Sequence, residues 1–313
     1  MKINVAIATY NGQEYIEELL ESIFNQESFR PNKIIVSDDC SSDLTVQKIK
    51  DIAEISEIPI MIYENKFTLG YSQNFSKALE IAHMDCDLVI ISDQDDVWYP
   101  FKMKEIFKKI NEDSNLSLLI HDADIVDKNL ISSGATKLKQ VKRGGDSNKA
   151  YVMGGCMTVY SKLLKIALPI PTHTTYDRWL SEISEVLNVK VILYKSLIMH
   201  RRHKRNATKA NFSRIHKINF YQYLLSLFKR RNFDCKFTKN NFLYIKKFFK
   251  YKKNEKLSEE LLYLLEEKHK LCLLRKDIRK KSFPLRFFSV LVHYDSYMAF
   301  SGIKSAFRDL LNR

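Results

Sequence analysis

Two rhythms of apolar and polar positions share the first 200 residues. Ile3–Ala8 is a short apolar run opened by Lys2 and broken at Thr9-Tyr10-Asn11-Gly12, where Asn-Gly supplies a turn. Behind it Ile16, Leu19, Leu20, Ile23 and Phe24 recur at helical spacing. Glu14, Glu17, Glu18 and Glu21 occupy the early turns of that helix, where its dipole favours them. Lys33–Ser37 repeats the strand signature and ends in Asp38-Asp39, and Ser41-Ser42-Asp43 has the residue types of a helix N-cap. Ile60–Tyr63 reads as a third strand, Ser72–Ala82 as a helix and Leu88–Ser92 as a strand buried on both faces. This alternation predicts an α/β fold with a mostly parallel sheet flanked by helices.

Past Trp98, Pro100 opens a basic helix over 101–110, and Leu116–Ile120 is a strand ending in His121-Asp122-Ala123-Asp124, where Asp122 and Asp124 are expected to cap a turn. Lys137–Lys149 is polar and basic with Gly144-Gly145, and reads as a mobile loop at the mouth of a site. Gly154-Gly155 precede the strand Thr158–Tyr160 and allow close backbone approach to a ligand or another strand. After Pro169-Ile170-Pro171, Asp177 opens a helix to about Leu187. Lys190–Tyr194 is the last strand, followed by Leu197–His203. Beyond residue 210 the pattern turns helical, over 215–229, 237–253, 259–274 and 284–311. The expected organisation is an α/β domain over 1–210 and a basic helical region over 211–313.

Charge sharpens that division. Residues 1–200 hold 22 Lys/Arg against 28 Asp/Glu, a net of −6, whereas residues 201–313 hold 29 against 9, a net of +20. Such asymmetry suggests an anionic partner surface. Basic helices with an aromatic face suit the headgroup region of an anionic membrane, or they pack on the catalytic body or a second subunit with their lysines solvated. No nucleic-acid module is recognisable. Five scattered cysteines without a C-x-x-C pair argue against a disulfide framework or structural zinc and fit a reducing cytoplasm. A strand pattern from the first residues predicts no secretory signal, and no uncharged apolar run is long enough for a membrane span.

The candidate chemistry lies at Ser92-Asp93-Gln94-Asp95-Asp96-Val97-Trp98, where three carboxylates follow a buried strand. Like charges so close repel and raise one another's pKa. Mg²⁺ or Mn²⁺ relieves them, because a hard cation takes one or two carboxylates and leaves positions for water and phosphate oxygens. The strand's carboxyl end is where ligands bind in open α/β sheets. A solvated acidic loop is the competing reading. Neither G-x-x-x-x-G-K-[ST] nor G-x-G-x-x-G occurs, so phosphates here would be held by metal and side chains.

Five stretches together resemble a family 2 glycosyltransferase of the GT-A type, over residues 1–210: Ala8-Thr9-Tyr10-Asn11-Gly12, Val36–Asp43, Ser92–Trp98, Tyr176-Asp177-Arg178-Trp179 and His200–Asn206. The Asp-Gln-Asp-Asp-x-Trp form is similar to the bacterial rhamnosyltransferase-like subgroup, which builds O-antigens and capsules. The resemblance implies a nucleotide-diphosphate sugar donor, a glycan acceptor and Mn²⁺ or Mg²⁺ as cofactor; the basic C-terminal helices fit a lipid-linked glycan acceptor and a peripheral place on the inner face of the cell membrane, with a homo-oligomer contact as an open alternative. By the same resemblance Tyr10 stacks on the nucleobase, Asp39 bonds its imide, Asp93 lies near the ribose, and Thr9, Asn11 and Gln94 belong to the nucleotide-sugar site. Asp95 is the implied metal ligand, Asp177 the catalytic base, and His203 a contact in the loop closing over diphosphate or metal. Two departures stand out. Tyr176 replaces the usual histidine before the base, and His203-Lys204-Arg205-Asn206 lacks the usual loop glycine.

An inverting transfer needs a base near the acceptor hydroxyl, charge neutralisation of the leaving diphosphate, and in-line placement. Each assignment has a structural competitor: Asp177 as an N-cap, Asp38 bonding its own backbone, Trp98 as core, His203 as a surface residue, Cys156 as inert core. The functional competitors are a non-catalytic nucleotide-sugar-binding or assembly protein of the same fold, and a basic nucleic-acid binder.

Overall fold

The structure, a computed structural model, describes residues 1–113, 115–143, 151–203, 256–301 and 303–311. The chain divides into two units, Met1–His216 and Lys217–Arg313. The expected boundary near residue 210 lies outside the described residues.

In the first unit β1 (Ile3–Thr9), β2 (Lys33–Asp38), β3 (Ile60–Glu64) and β4 (Leu88–Asp93) form the parallel half of the sheet, linked through α1 (Ile16–Phe24), α2 (Thr45–Ile55) and α3 (Tyr71–Ala82). β1 is buried along its whole length and β4 through Ser92, as continuous apolar runs dictate when helices cover both faces. α1 turns Ile16, Leu19, Leu20 and Ile23 inward. The remainder comprises β5 (Val97–Trp98), α4 (Lys102–Glu112), β6 (Leu118–Val126), β7 (Ser132–Thr136), α5 (Lys137–Arg143), β8 (Met157–Tyr160), α6 (Ser161–Ala167), α7 (Tyr176–Val186) and β9 (Lys190–Arg201). Among the described residues the strands make one nine-stranded sheet, ordered β3-β2-β1-β4-β8-β6-β9-β5 with β7 on β6. β8 runs antiparallel between β4 and β6, whereas β6 and β9 are parallel.

Several sequence expectations change. β6 does not end at Ile120 but continues to Val126, so Asp122 and Asp124 lie within a strand. Asp122 Oδ1 accepts the backbone N–H groups of Ala123, its neighbour in β6, and of Leu138 at the base of α5, and Asp124 accepts Tyr99 Oη and Ser196 Oγ. The stretch expected to be a loop from Lys137 begins as α5, because Asp122 satisfies one of its first N–H groups; residues 144–150 lie outside the described residues. Lys190–Tyr194 and Leu197–His203 are largely one strand, β9. α2 starts at Thr45 rather than directly after Ser41-Ser42-Asp43, with Asp43 Oδ1 accepting the Thr45 N–H.

In the second unit α8 (Lys256–Ile278), α9 (Phe283–Val292), α10 (Tyr294–Phe300) and α11 (Ile303–Leu311) pack around Leu271, Ile278, Val290, Tyr297 and Ala306. Asp309 is buried there and accepts hydrogen bonds from Arg275, Arg279 and Tyr297 Oη. Those arginines are therefore internal rather than part of a solvated basic face. Phe283, Phe287, Phe288, Leu291 and Val292 of α9 are exposed. The helices expected over 215–229 and 237–253 lie outside the described residues. No described helix is long and apolar enough to cross a membrane.

Candidate active site

A cavity of about 730 Å³ opens at the carboxyl ends of β1, β2 and β4. One wall begins at the end of β1. Thr9 Oγ1 donates to Asp38 Oδ1 at 2.7 Å, and Asp38 also accepts the N–H and Oγ of Ser41. Asp38 is thus spent on its own loop. Asn11 takes a left-handed φ of 47°, receives the Ser42 N–H on Oδ1 and donates its own N–H to Ser41 Oγ. Gln94 clamps Tyr10 from the other side, with Oε1 accepting its N–H at 3.0 Å and Nε2 donating to its carbonyl at 3.1 Å. A Cβ on Gly12 would lie 2.3 Å from Gln94 Oε1, so this clamp requires glycine there. The result is a Tyr10 that is 53% exposed and lines the cavity.

Asp39, 3% exposed, holds the loop that leads into α3. Its Oδ1 accepts Leu69 N–H at 2.7 Å and Asn65 Nδ2 at 3.1 Å, and its Oδ2 accepts Gly70 N–H at 2.8 Å. Buried Asn74 ties the same loop to the sheet, donating to Thr9 and Ser37 carbonyls and accepting from Asn65. Three bonds to Asp39 leave Oδ2 a further lone pair, and Asp39 lines the cavity.

The opposite wall carries the carboxylates. Asp93, Gln94 and Asp95 line the cavity, as do His200, Arg202 and His203. Asp96 points away, its Oδ1 receiving His200 Nδ1 at 2.9 Å and Arg201 N–H at 3.3 Å. Arg201 Nε donates to the Asp95 carbonyl at 3.0 Å, and its other nitrogens reach Lys128 O and Glu18. His203 Nε2 lies 2.7 Å from Asp95 Oδ2, and its ring rests 4.9 Å from that of Tyr15. The end of β9 therefore grips the Asp95-Asp96 turn at three points. Burial, then Asp96, Asp95 and Asp177, push the Asp93 carboxyl well up; burial and Asp95 do the same to Asp96. Burial pushes the His200 imidazole down to about 3, so it is neutral. Lys102, wholly buried under Trp98, is pushed by burial down to about 7.

Asp177 is in the first turn of α7, whose N-cap is Thr175, and so is not the capping residue. Its Oδ1 accepts the Arg178 N–H at 2.8 Å and Thr175 Oγ1. It does not line the cavity itself but adjoins its wall: its charge reaches Asp93 and Tyr71, which do. Tyr71 Oη is 3.2 Å from Tyr176 Oη, and both rings pack on Phe75. Tyr176 is buried because Gly154 makes room for it; a Cβ there would fall 1.8 Å from Tyr176 Oη. Gly155 likewise backs onto Asp93, with a Cβ reaching 2.7 Å from Oδ2. Trp98 is core, its Nε1 donating to Ser92 Oγ, and Cys156 is buried with its thiol pushed well up by burial.

The cavity thus brings together Thr9, Tyr10, Asn11, Asp39, Asp93, Gln94, Asp95 and His203, whereas Asp177 does not line it. Sequence reasoning missed Asn65, Tyr71, Asn74, His200 and Arg201. His200 and Arg201 belong to a stretch that had been singled out, and their signal was an imidazole and a guanidinium two or three residues before His203.

A divalent ion fits the donor set. Among the described residues no three His, Cys, Asp or Glu side chains form a ready cage. Asp95 and His203 instead meet at the cavity beside two carboxylates whose raised pKa values mark a field short of positive charge. An ion held by one or two such ligands completes its shell with water and phosphate oxygens.

Known proteins agree with this architecture. Residues 4–165 match the family described as glycosyl transferase family 2. The abequosyltransferase RfbV of Salmonella typhimurium is 38% identical over 94 residues, 30% of this chain and 28% of that protein. The dTDP-rhamnosyl transferase RfbG of Shigella flexneri is 38% identical over 101 residues, 31% of this chain and 34% of that protein. The chain thus spans about a third of the length of these relatives. Residues 1–349 of Staphylococcus aureus TarS, solved in complex with UDP-GlcNAc, share the fold at a TM-score of 0.54 and 16% identity, over 99% of this chain and 90% of that one. The sheet and its flanking helices are those of GT-A structures, and with the family match taking in just over half of its length, the chain belongs to glycosyl transferase family 2.

Proposed function

We propose that the protein is a metal-dependent, inverting glycosyltransferase that uses a nucleotide-diphosphate sugar. The observation that carries this reading is the meeting of Asp95 and His203 at the cavity mouth, with the charge of Asp177 felt at Asp93 in the same wall. Tyr10, open above the cavity, stacks the nucleobase; Asp39 offers its remaining lone pair to the base's N–H; Asp93 faces the ribose. Thr9, Asn11 and Gln94 shape that wall through their bonds to neighbouring loops. Asp95 and His203 hold Mn²⁺ or Mg²⁺, which when bound neutralises charge on the leaving diphosphate. Asp177 accepts the proton of the acceptor hydroxyl as its oxygen attacks the anomeric carbon, while the bond to the diphosphate breaks with its electron pair leaving on phosphate oxygen.

The rhamnosyl reading draws on RfbG and makes dTDP-rhamnose the first donor to try. A lipid-linked glycan acceptor in surface-polysaccharide synthesis, O-antigen or capsule, fits a protein lying on the inner leaflet, and the exposed aromatic face of α9 supports that placement. Donor turnover assayed with UDP-, dTDP- and GDP-sugars, with and without Mn²⁺, tests the proposal. Metal-stimulated release of nucleoside diphosphate from one of them is expected. Donor binding without turnover under every condition would leave the non-catalytic binding protein as the reading.

A further inference from the structure

Four buried side-chain atoms, one of them on the turn that follows the cavity-lining Asp95, lack a protein hydrogen-bond partner: Asp96 Oδ2, Lys102 Nζ, His121 Nε2 and Thr158 Oγ1. They come from one place in the fold. Thr158 sits between Ile90 of β4 and Leu119 of β6, so it shares a sheet face with Ser92 and His121, each two residues further along. Ser92 Oγ accepts Trp98 Nε1 at 2.9 Å, and Lys102 Nζ lies 3.7 Å from the centroid of the Trp98 ring. The charge of Lys102 acts on His121, and the Asp96 and Asp93 carboxylates act on Lys102. All four residues are at most 1% exposed.

Their hydrogen-bonding capacities are complementary, yet none bonds another directly. His121 Nδ1 is 2.8 Å from the Asp122 carbonyl, which only accepts; Nδ1 therefore carries the proton and Nε2 is an acceptor. Asp96 Oδ2 is a second acceptor, Lys102 Nζ donates in either protonation state, and the Thr158 hydroxyl does both. Groups of this kind, enclosed together and out of mutual reach, are what buried water bridges, since each molecule donates twice and accepts twice.

We propose that Asp96, Lys102, His121 and Thr158 enclose ordered water, and that Lys102 acts through it as a positioning residue for the Asp95-Asp96 turn. Asp96 spends Oδ1 on His200 and on Arg201, whose guanidinium holds the Asp95 carbonyl. Oδ2 is the carboxylate's other anchor point. Fixing it sets the plane in which His200 and Arg201 are held, and with them the approach of His203 to Asp95. Only the link to Asp95 as a cation ligand rests on the proposed function; the water site stands without it.

A crystal structure of the full chain, at a resolution that resolves solvent, tests the first half. Density is expected within hydrogen-bonding distance of Lys102 Nζ and of Asp96 Oδ2 or His121 Nε2. A dry site, or Lys102 bonded directly to Asp96 with nothing between, overturns it. Titration with Mn²⁺ alone, followed by electron paramagnetic resonance, tests the second half on wild type, Lys102→Met, Lys102→Arg and Thr158→Val, each checked for cooperative unfolding. Lys102→Met is expected to weaken Mn²⁺ binding about tenfold, as loss of an outer support does, with partial recovery in Lys102→Arg. A folded Lys102→Met with wild-type affinity overturns the positioning role. If that variant does not fold, Thr158→Val decides: weakened Mn²⁺ binding and altered density support the proposal, and unchanged affinity and density refute it. Wild type that binds no Mn²⁺ would refute the reading of Asp95 as a cation ligand and the positioning role, and crystallography would then judge the water site by itself.

Discussion

The two walls of the cavity are built on opposite principles. On the Asp38–Asp39 side the carboxylates are taken up by protein donors save one Asp39 lone pair: Asp38 serves Thr9 and Ser41, Asp39 serves Asn65, Leu69 and Gly70, and Asn74 stitches the strand ends beneath them. On the Asp93–Asp96 side burial and mutual repulsion raise two carboxyls, and Asp96 Oδ2 and Lys102 Nζ have no hydrogen-bond partner in the protein. A saturated network fixes a shape, whereas an unsaturated one keeps its field for what binds. The first wall should respond to substitution through stability and the second through activity.

The sharpest test of that contrast is Asp95→Ala. Turnover is expected to fall by about 10³-fold or more, with thermal stability held or raised because a repelling carboxylate is gone; a loss of stability matching the loss of activity would erase the distinction between the walls. Asp177→Asn should lower turnover by about 10²–10³-fold while donor affinity, measured by calorimetry, stays within about twofold. Full turnover in that variant would remove Asp177 as the base. On the saturated side, Asn74→Ala strips partners from two buried carbonyls and should cost about 2–4 kcal/mol by denaturant unfolding. A further test of the second wall is a pH slope. Lys102 titrates near 7 in the fold and at its ordinary lysine value when unfolded, because burial disfavours its charge. Between those values the unfolded chain binds more protons, so wild type should gain stability relative to Lys102→Met as pH rises from about 7 toward 10. A flat difference would mean that the amine keeps its charge in the fold.

Much of the first wall was legible in the sequence because short apolar runs, Asn-Gly and the Asp clusters are local signals, and β1 through β4 follow from them with boundaries shifted by a residue or so. The second wall was only half legible. Asp93 and Asp95 announce themselves, but Asp96 looks identical to them until His200, more than 100 residues later, pairs with it. α5 was misread because its cap, Asp122, is supplied by a strand 16 residues upstream rather than by the segment itself. Tyr176 was visible as a departure from the usual histidine, yet its partner Tyr71 lies 105 residues away and carries no local mark.

β9 has a consequence for how this protein tolerates change. Its pairing with β6 slips twice, between His121 and Asp122 and again between Asp122 and Asp124, before it delivers His200, Arg201 and His203 to their stations. Those slips act as a vernier that sets the phase of the last turn of the site. A single inserted or deleted codon between residues 190 and 199 would exchange inward for outward side chains at the far end, disabling the cavity without touching one residue that lines it.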